Sequence, residues 1–596
     1  MLLTQSQFRE PYDGSSRKLV LALDIGTTFS GISYTILDPG QIPKIFTVTT
    51  YPGQTKSGGD SKIPSIIYYD VDGVVEAVGQ EAENLRESGE AEDNDWIRVQ
   101  WHLHLRPNRM NAPHITDDQL PRLPVLKTII DVFADFLAYL FSCAKGYIRT
   151  AHAAGDALLL SLEGNIDFVM GHPNGWGGPQ QQRMRKAAVH AGLVPDMEAA
   201  QKRIQFVTEG EASLYYCLEN GLSSDVIKPD NKIMIVDVGG GTIDLSSYRI
   251  TKIGPVRAEE VAAPGCRLQG SSFVNDRAST FLLAEKLKGS IYDDPQEIEN
   301  IVQSFEKTVK RIFKASTGTV HIRFGSRNDN DPEYGISKGV LKLTGKEVSG
   351  FFDPSLDAML DAIQEQRREG GDIKTIFLVG GFAANDYLFG KLRGELAGIG
   401  VEISRPDGYT NKAVADGALA FYLDHVVSKR VARITYGVEG TRSYDPSKLS
   451  HMVRLRKIFV QPSGRRMLPD AYLCIVSKGS KIDTEEEYSE DFFRESATLN
   501  TVISISVTIT TYSGDSVDPQ WTDVDPESYH TLCTINANVS QAARSLKPMR
   551  GPSGQLYYQF HFRIVLNFGL TELKAHMRWT EDVSRVCCLL PWTITG

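Results

Sequence analysis

Lys18-Leu19-Val20-Leu21-Ala22-Leu23-Asp24-Ile25-Gly26-Thr27-Thr28-Phe29-Ser30-Gly31 decides the fold. Five apolar residues lead into an aspartate, a glycine and two threonines, and a second apolar run follows to Ile36. This predicts a buried strand, a tight polar turn and a return strand. The plan returns at Lys232 to Ile250, where Ile233-Met234-Ile235-Val236 precedes Asp237-Val238-Gly239-Gly240-Gly241-Thr242. Two such hairpins imply two similar α/β lobes, each presenting its tip at the C-terminal end of a core strand, where open sheets place ligands. A cleft between the lobes is expected.

The tips carry the chemistry. A polyphosphate needs backbone N–H donors at close range, and glycine with small hydroxylated residues supplies them without obstruction. The chain has no GxxxxGK[ST], so phosphate would be held between hairpins and not by a P-loop. Asp24 and Asp237 end their strands and suit Mg²⁺, which prefers carboxylate oxygens and retained waters.

Around the hairpins, Ile129 to Phe141 has helical spacing, Ile166 to Gly171 reads as a buried strand and Gln180 to Ala191 as a helix. Gln296 to Lys314 reads as a charged helix, and Thr375 to Val379 as a strand running into Gly380-Gly381, with a helix from about Asp386. Beyond Val431 the texture changes to period-two alternation, at Thr501 to Thr510 and again at Tyr557 to Val565. That C-terminal part is expected to be β-rich, either a compact sandwich or an incomplete β domain. Cys587-Cys588-Leu589-Leu590-Pro591-Trp592 reads as a final strand or a tail.

Length and composition bound the rest. A chain of 596 residues needs two or more domains of roughly 100–200 residues. The formal net charge of -10 argues against a broad nucleic-acid footprint. Seven scattered cysteines lack any CxxC pair and read as free thiols in a reducing compartment. Residues Met1 to Arg17 lack a signal-peptide pattern, and charges interrupt the most apolar stretch, Val125 to Ile148, so no membrane span is expected.

Four segments resemble the heat-shock protein 70 chaperones, within the actin-like ATPase superfamily. Leu21 to Gly31 resembles the first phosphate motif and Ile235 to Leu245 the second. Phe206-Val207-Thr208-Glu209-Gly210-Glu211-Ala212 resembles the segment centred on a Glu-Pro pair, and Phe377 to Gly381 the adenosine motif. The order and spacing of all four, over Lys18 to Tyr422, are far more specific than any one. Gly381-Phe382 and Tyr436-Gly437-Val438-Glu439 resemble a divergent metazoan and fungal branch.

The resemblance implies duplicated actin-like (ribonuclease-H-like) ATPase lobes around a nucleotide cleft, at residues 18–225 and 226–430, with a divergent β-rich region at 431–596. ATP with Mg²⁺ would be the cofactor. Asp24, Glu209 and Asp237 would order the metal and water, with Asp24 and Asp237 as metal ligands. Gly26, Thr27, Thr28, Gly239, Gly240, Gly241 and Thr242 would cradle phosphates, and Asp244 would shape the second loop. Gly380 and Gly381 would flank the adenosine, with Lys310 and Arg311 near the base, although the Glu306 to Arg311 spacing differs by one residue from the family pattern.

Two departures bear on activity. His102, in Trp101-His102-Leu103-His104-Leu105, stands where the family has a lysine that contacts the terminal phosphate and the attacking water. A neutral imidazole supplies less charge there, so slow hydrolysis is expected. Gly210 follows Glu209 where the family has a proline that relays nucleotide state. The leading expectation is an ATP-binding, chaperone-like protein of cytoplasm and nucleus, with unfolded clients and co-chaperones as partners. A sugar-type kinase and a non-hydrolysing ATP-binding scaffold are the alternatives.

Overall fold

The computed structural model describes residues 5–54, 61–107, 110, 120, 122–220, 226–406, 412–569, 572–581 and 584–588. The sequence motif at Leu589 to Trp592 and the expected boundary at residues 225–226 fall on or beside residues outside this set. The chain is mixed α/β and divides into two compact units, Met1–Val427 and Ser428–Gly596.

Both hairpins form in the first unit. Lys18–Ile25 pairs antiparallel with Phe29–Leu37, and Lys232–Val238 with Ile243–Lys252. Seven of the eight residues in Lys18–Ile25 are buried, as are six of the seven in Lys232–Val238, which accounts for their nearly unbroken apolar runs. Each hairpin sits in a larger sheet of the same order and sense. Lys18–Ile25 pairs in parallel with Ile166–His172, which pairs in parallel with Ile204–Thr208. Lys232–Val238 pairs in parallel with Thr375–Val379, and that strand with Glu402–Ser404. Apolar residues of these strands fill two separate cores, one on Leu19, Leu21, Leu23, Phe133, Phe136 and Phe168, the other on Met234, Val236, Phe352, Ile376 and Leu378.

Two helices cross between the sheets. Glu209–Glu219 packs on the second hairpin, and Ala413–Asp424 on the first. A Cβ on Gly417 would lie 1.8 Å from the carbonyl oxygen of Ala212, so their backbones touch and only glycine fits at 417. Arg9 pins the same pair from the N-terminal segment, donating to Asp424 at 2.8 Å and to Glu219 at 2.6 Å with its side chain 5% exposed.

The charged helix expected at Gln296 to Lys314 is α-helical over Pro295–Ser304 and then widens to a π-turn over Phe305–Lys310. A π-turn absorbs one extra residue without breaking the helix. It falls on the stretch where the Glu306 to Arg311 spacing departs by one residue from the pattern of the resemblance.

The second unit consists chiefly of two antiparallel sheets. One runs Phe459–Val460, Arg466–Val476, Thr435–Ser443, Ser504–Tyr512, Tyr529–Asn538. The other runs Glu487–Ser496, Leu556–Phe568, Leu573–Glu581, Ser584–Cys588, with Met549–Arg550 alongside. Val438, Val476, Ile509 and Ile535 of one sheet share a core with Phe560, Ile564, Leu566 and Met577 of the other. The two sheets therefore form a sandwich. No described helix is long and apolar enough to cross a membrane, and Cys143, Cys217, Cys266, Cys474 and Cys533 are free thiols.

Candidate functional site

The two hairpin tips meet. A Cβ on Gly240 would lie 2.2 Å from Thr28 Oγ1, and one on Gly241 2.4 Å from Thr27 Oγ1. Glycine at both positions lets backbone N–H groups and threonine hydroxyls share one small space. Each tip is braced by a segment that carried no motif in the sequence. Ser65 donates to the Gly26 carbonyl at 2.7 Å, and its own N–H reaches the Thr28 carbonyl at 2.9 Å. At the second tip, the N–H groups of Ser271 and Ser272 reach the carbonyls of Gly239 and Gly240 at 3.0 and 2.8 Å. Thr242 closes that turn by accepting from the Gly239 N–H at 2.9 Å.

Beneath the tips lie four buried carboxylates. Asp24 and Asp237 are each 3% exposed, Glu209 8% and Asp244 0%. Burial raises three of them, and mutual repulsion adds to it. Asp237 is pushed up to about 7, with Asp244 and Asp24 raising it and a 2.6 Å hydrogen bond from Ser213 opposing. Asp244 is pushed up to about 6 against hydrogen bonds that include the Asn174 N–H at 2.6 Å. Glu209, at the start of its helix, lies well above the usual range because it is buried and faces Asp244, Asp237 and Asp24. Packed anionic oxygens of this kind favour a cation.

One cation belongs to the chain. Lys62 Nζ lies 2.6 Å from Asp24 Oδ2, a pair the sequence did not announce. His102, expected to carry the lysine's role, is 4% exposed, stacked on Trp176 at 4.9 Å and edge-on to Trp101. Its Nδ1 lies 3.1 Å from Thr27 Oγ1. Burial drives its pKa down to about 4 despite a hydrogen bond with the Ile25 backbone, so the imidazole is neutral at physiological pH.

Asn174, in the turn His172-Pro173-Asn174-Gly175, was also invisible to sequence reasoning. Its side chain donates to the Leu245 and Gly265 carbonyls at 2.9 and 3.1 Å and accepts from the Gly210 N–H at 3.2 Å. It thus ties the helix start at Glu209 to the second hairpin. A proline at 210 would lack that N–H, and any Cβ there would lie 2.4 Å from Ser246 Oγ.

Gly380 has φ of +91°, and a Cβ there would strike Asp237 Oδ1 at 2.4 Å, so glycine is required both for conformation and for space. Gly381 begins the short turn Phe382–Ala384. Asn385 caps the following helix through the Leu388 N–H and donates to the Lys310 carbonyl at 2.7 Å. Lys310 is buried and donates to Glu306, Asn275 and the Ser271 carbonyl, which links it to the brace of the second tip. Arg311 is exposed. Lys310 and Gly380 are therefore joined through Asn385 to one neighbourhood.

The residues fit a phosphate ligand and magnesium on two observations. At Gly240 and Gly241 a Cβ would fill the space between the tips, and Asp24 and Asp237, the carboxylates at the strand ends, are both buried. Among the described residues no group of three or more His, Cys, Asp or Glu side chains is arranged to hold a metal directly. Two carboxylates with retained waters suffice for Mg²⁺.

The first unit is thus an α/β body with two like-ordered sheets whose glycine-bearing tips converge over buried acids. No protein-family model matches the chain. It is 21% identical to heat shock 70 kDa protein 12B of Homo sapiens over 82% of this chain and 81% of that protein. It is 22% identical to heat shock 70 kDa protein 12A of Mus musculus over 72% of this chain and 73% of that one. The chaperone protein DnaK of Stenotrophomonas maltophilia is 24% identical over 61% of this chain and 53% of its own length. Over 61–82% of its length the chain is thus similar, at 21–24% identity, to proteins named as heat shock 70 kDa proteins and DnaK.

Proposed function

We propose that the chain binds ATP with magnesium between two actin-like lobes, at residues 18–225 and 226–430, and couples nucleotide state to chaperone-like work by the β-rich region at 431–596. The observation that carries this is the meeting of Thr27 and Thr28 with Gly241 and Gly240 at the ends of the strands that carry Asp24 and Asp237, which are buried in electrostatic contact with Glu209. A nucleotide seated there parts the tips, so lobe separation becomes a measure of nucleotide state.

Each residue has a role in this reading. Gly26, Gly240 and Gly241 present backbone N–H groups to phosphate, Gly239 shapes the second cradle through its bond to the Thr242 carbonyl, and Thr27, Thr28 and Thr242 add hydroxyls. Asp24 and Asp237 would hold magnesium, which would supply charge neutralisation on the phosphate oxygens. Glu209, buried beside Asp24 and Asp237 at the start of its helix, orders the water. Asp244 fixes the second loop through the Asn174 N–H. Gly380 and Gly381 give a flat seat for adenosine, with Lys310 buried close by and Arg311 free to lie at its edge.

Hydrolysis is slow in this account, because His102 is neutral and packed between tryptophans. That same observation favours a second reading, a scaffold that binds ATP without turnover. Clients and co-chaperones in the cytoplasm and nucleus are the partners we assign by likeness to the relatives; fold alone does not fix them. Single-turnover phosphate release, with and without an unfolded protein, tests the proposal. Slow release accelerated by the unfolded protein supports chaperone-like work, and none at all supports the scaffold. Release stimulated only by a sugar would instead indicate a kinase.

A further inference from the structure

Lys62 reaches Asp24 across two strands. In the first sheet Asp24 stands opposite Gly31, and Gly31 opposite Lys62. Directly opposed residues share a face, and two strand spacings set the outer pair roughly 10 Å apart at Cα. An extended lysine and an aspartate span that distance only if nothing stands between them. Gly31 has no side chain, and a Cβ there would lie 3.1 Å from Lys62 Cγ and 3.7 Å from its Cε. The stem of Lys62 therefore lies over Gly31 and delivers the ammonium to the acid cluster.

The ammonium pairs directly with Asp24 at 2.6 Å, and Asp237 and Glu209 are further anionic neighbours. The neighbouring segment is fixed as well, because Ser65, three residues on, braces the first tip through Gly26 and Thr28. His102, by contrast, brings no charge.

We propose that Lys62, laid over Gly31, supplies the fixed positive charge that meets the terminal phosphate of the bound nucleoside triphosphate beside Asp24. This rests on the ATP-binding reading above. It places a binding charge for the terminal phosphate on the strand Lys62–Pro64, without replacing the charge at the attacking water that the neutral His102 segment lacks, and it makes Gly31 a positioning residue whose function is to leave the path open. A side chain that recognises only the last phosphate discriminates ATP from ADP.

The test is calorimetric titration of the full chain with ATP and with ADP, in magnesium. Lys62→Met should weaken ATP by about tenfold or more relative to ADP, the loss of one charge-assisted hydrogen bond. Lys62→Arg should recover part of the preference. Gly31→Val, with Lys62 intact, should lose it. Because Lys62→Met leaves Asp24 buried without its cation, its circular dichroism and its ADP affinity are read alongside, and both should stay near the wild-type values. If the wild type binds ATP but Lys62→Met keeps its ATP-to-ADP ratio, the lysine only neutralises Asp24 and the assignment is overturned alone. If the wild type binds neither nucleotide, the ATP-binding reading falls and the lysine's role falls with it.

Discussion

Thr28 and Gly240 face one another across the two hairpin tips, so closely that a methyl group on Gly240 would sit 2.2 Å from Thr28 Oγ1 and 2.6 Å from its Cγ2. The first and second hairpins, more than two hundred residues apart in sequence, thus share a contact that a single carbon atom would break. Gly240→Ala should destabilise the first unit by about 1–3 kcal/mol, the ordinary cost of overpacking. Thr28→Ala in the same chain should relieve most of it, because the clash is with the threonine side chain. Denaturant unfolding of the two single variants and the double variant measures the coupling. Strictly additive effects would mean that the tips do not touch.

Asp237 gives stability a pH dependence whose sign is fixed. Its folded pKa of about 7 lies above the ordinary 3.8, so between these values the folded chain holds a proton that the unfolded chain has released. Stability from this group falls as pH rises through that window, at up to about 1.4 kcal/mol per pH unit, and is level above it. His102 acts in the opposite sense, since its folded pKa of about 4 lies below 6.5 and costs stability as pH falls through that range. The informative quantity is therefore a difference. Asp237→Asn should gain stability relative to the wild type from pH 4 to pH 7, and urea unfolding at four pH values would reveal it. Parallel curves would mean that Asp237 is not raised.

Restoring a lysine at 102 should not simply restore turnover. The imidazole is buried between Trp101 and Trp176, and its polar contacts are the Thr27 hydroxyl and the Ile25 backbone. An ammonium there has no anionic partner among these contacts, so His102→Lys should cost about 2 kcal/mol or more, read as a lowered Tm. His102→Gln, neutral and polar, should cost less. Unchanged Tm with faster phosphate release in His102→Lys would mean that the position accepts a charge, contrary to the packing.

Much of this site was legible in the sequence because its pieces obey local rules. Asp24-Ile25-Gly26-Thr27-Thr28 and Asp237 to Thr242 interrupt apolar strands with small residues, and such interruptions have few physical explanations. The strand Thr375–Val379 ending in Gly380 was legible for the same reason. Lys62 was not, since its importance depends on register: it stands opposite Gly31, which stands opposite Asp24. No spacing along the chain encodes that row. Asn174 was hidden in an ordinary turn, and its four side-chain hydrogen bonds to residues 36 to 91 positions away exist only after the sheets have packed. The one-residue departure before Arg311 was visible as a misfit, but the π-turn there is a choice made by the helix backbone and not by any side chain.

The central claim is that the converging tips bind ATP with magnesium over the buried acids. Calorimetry of the full chain with ATP, with and without Mg²⁺, on the wild type and on Asp24→Asn/Asp237→Asn, tests it most directly. Magnesium-dependent binding by the wild type, lost in the double variant while its circular dichroism is retained, is the predicted result. Absence of ATP binding by a folded wild type, or binding that is indifferent both to magnesium and to loss of the two aspartates, would contradict it.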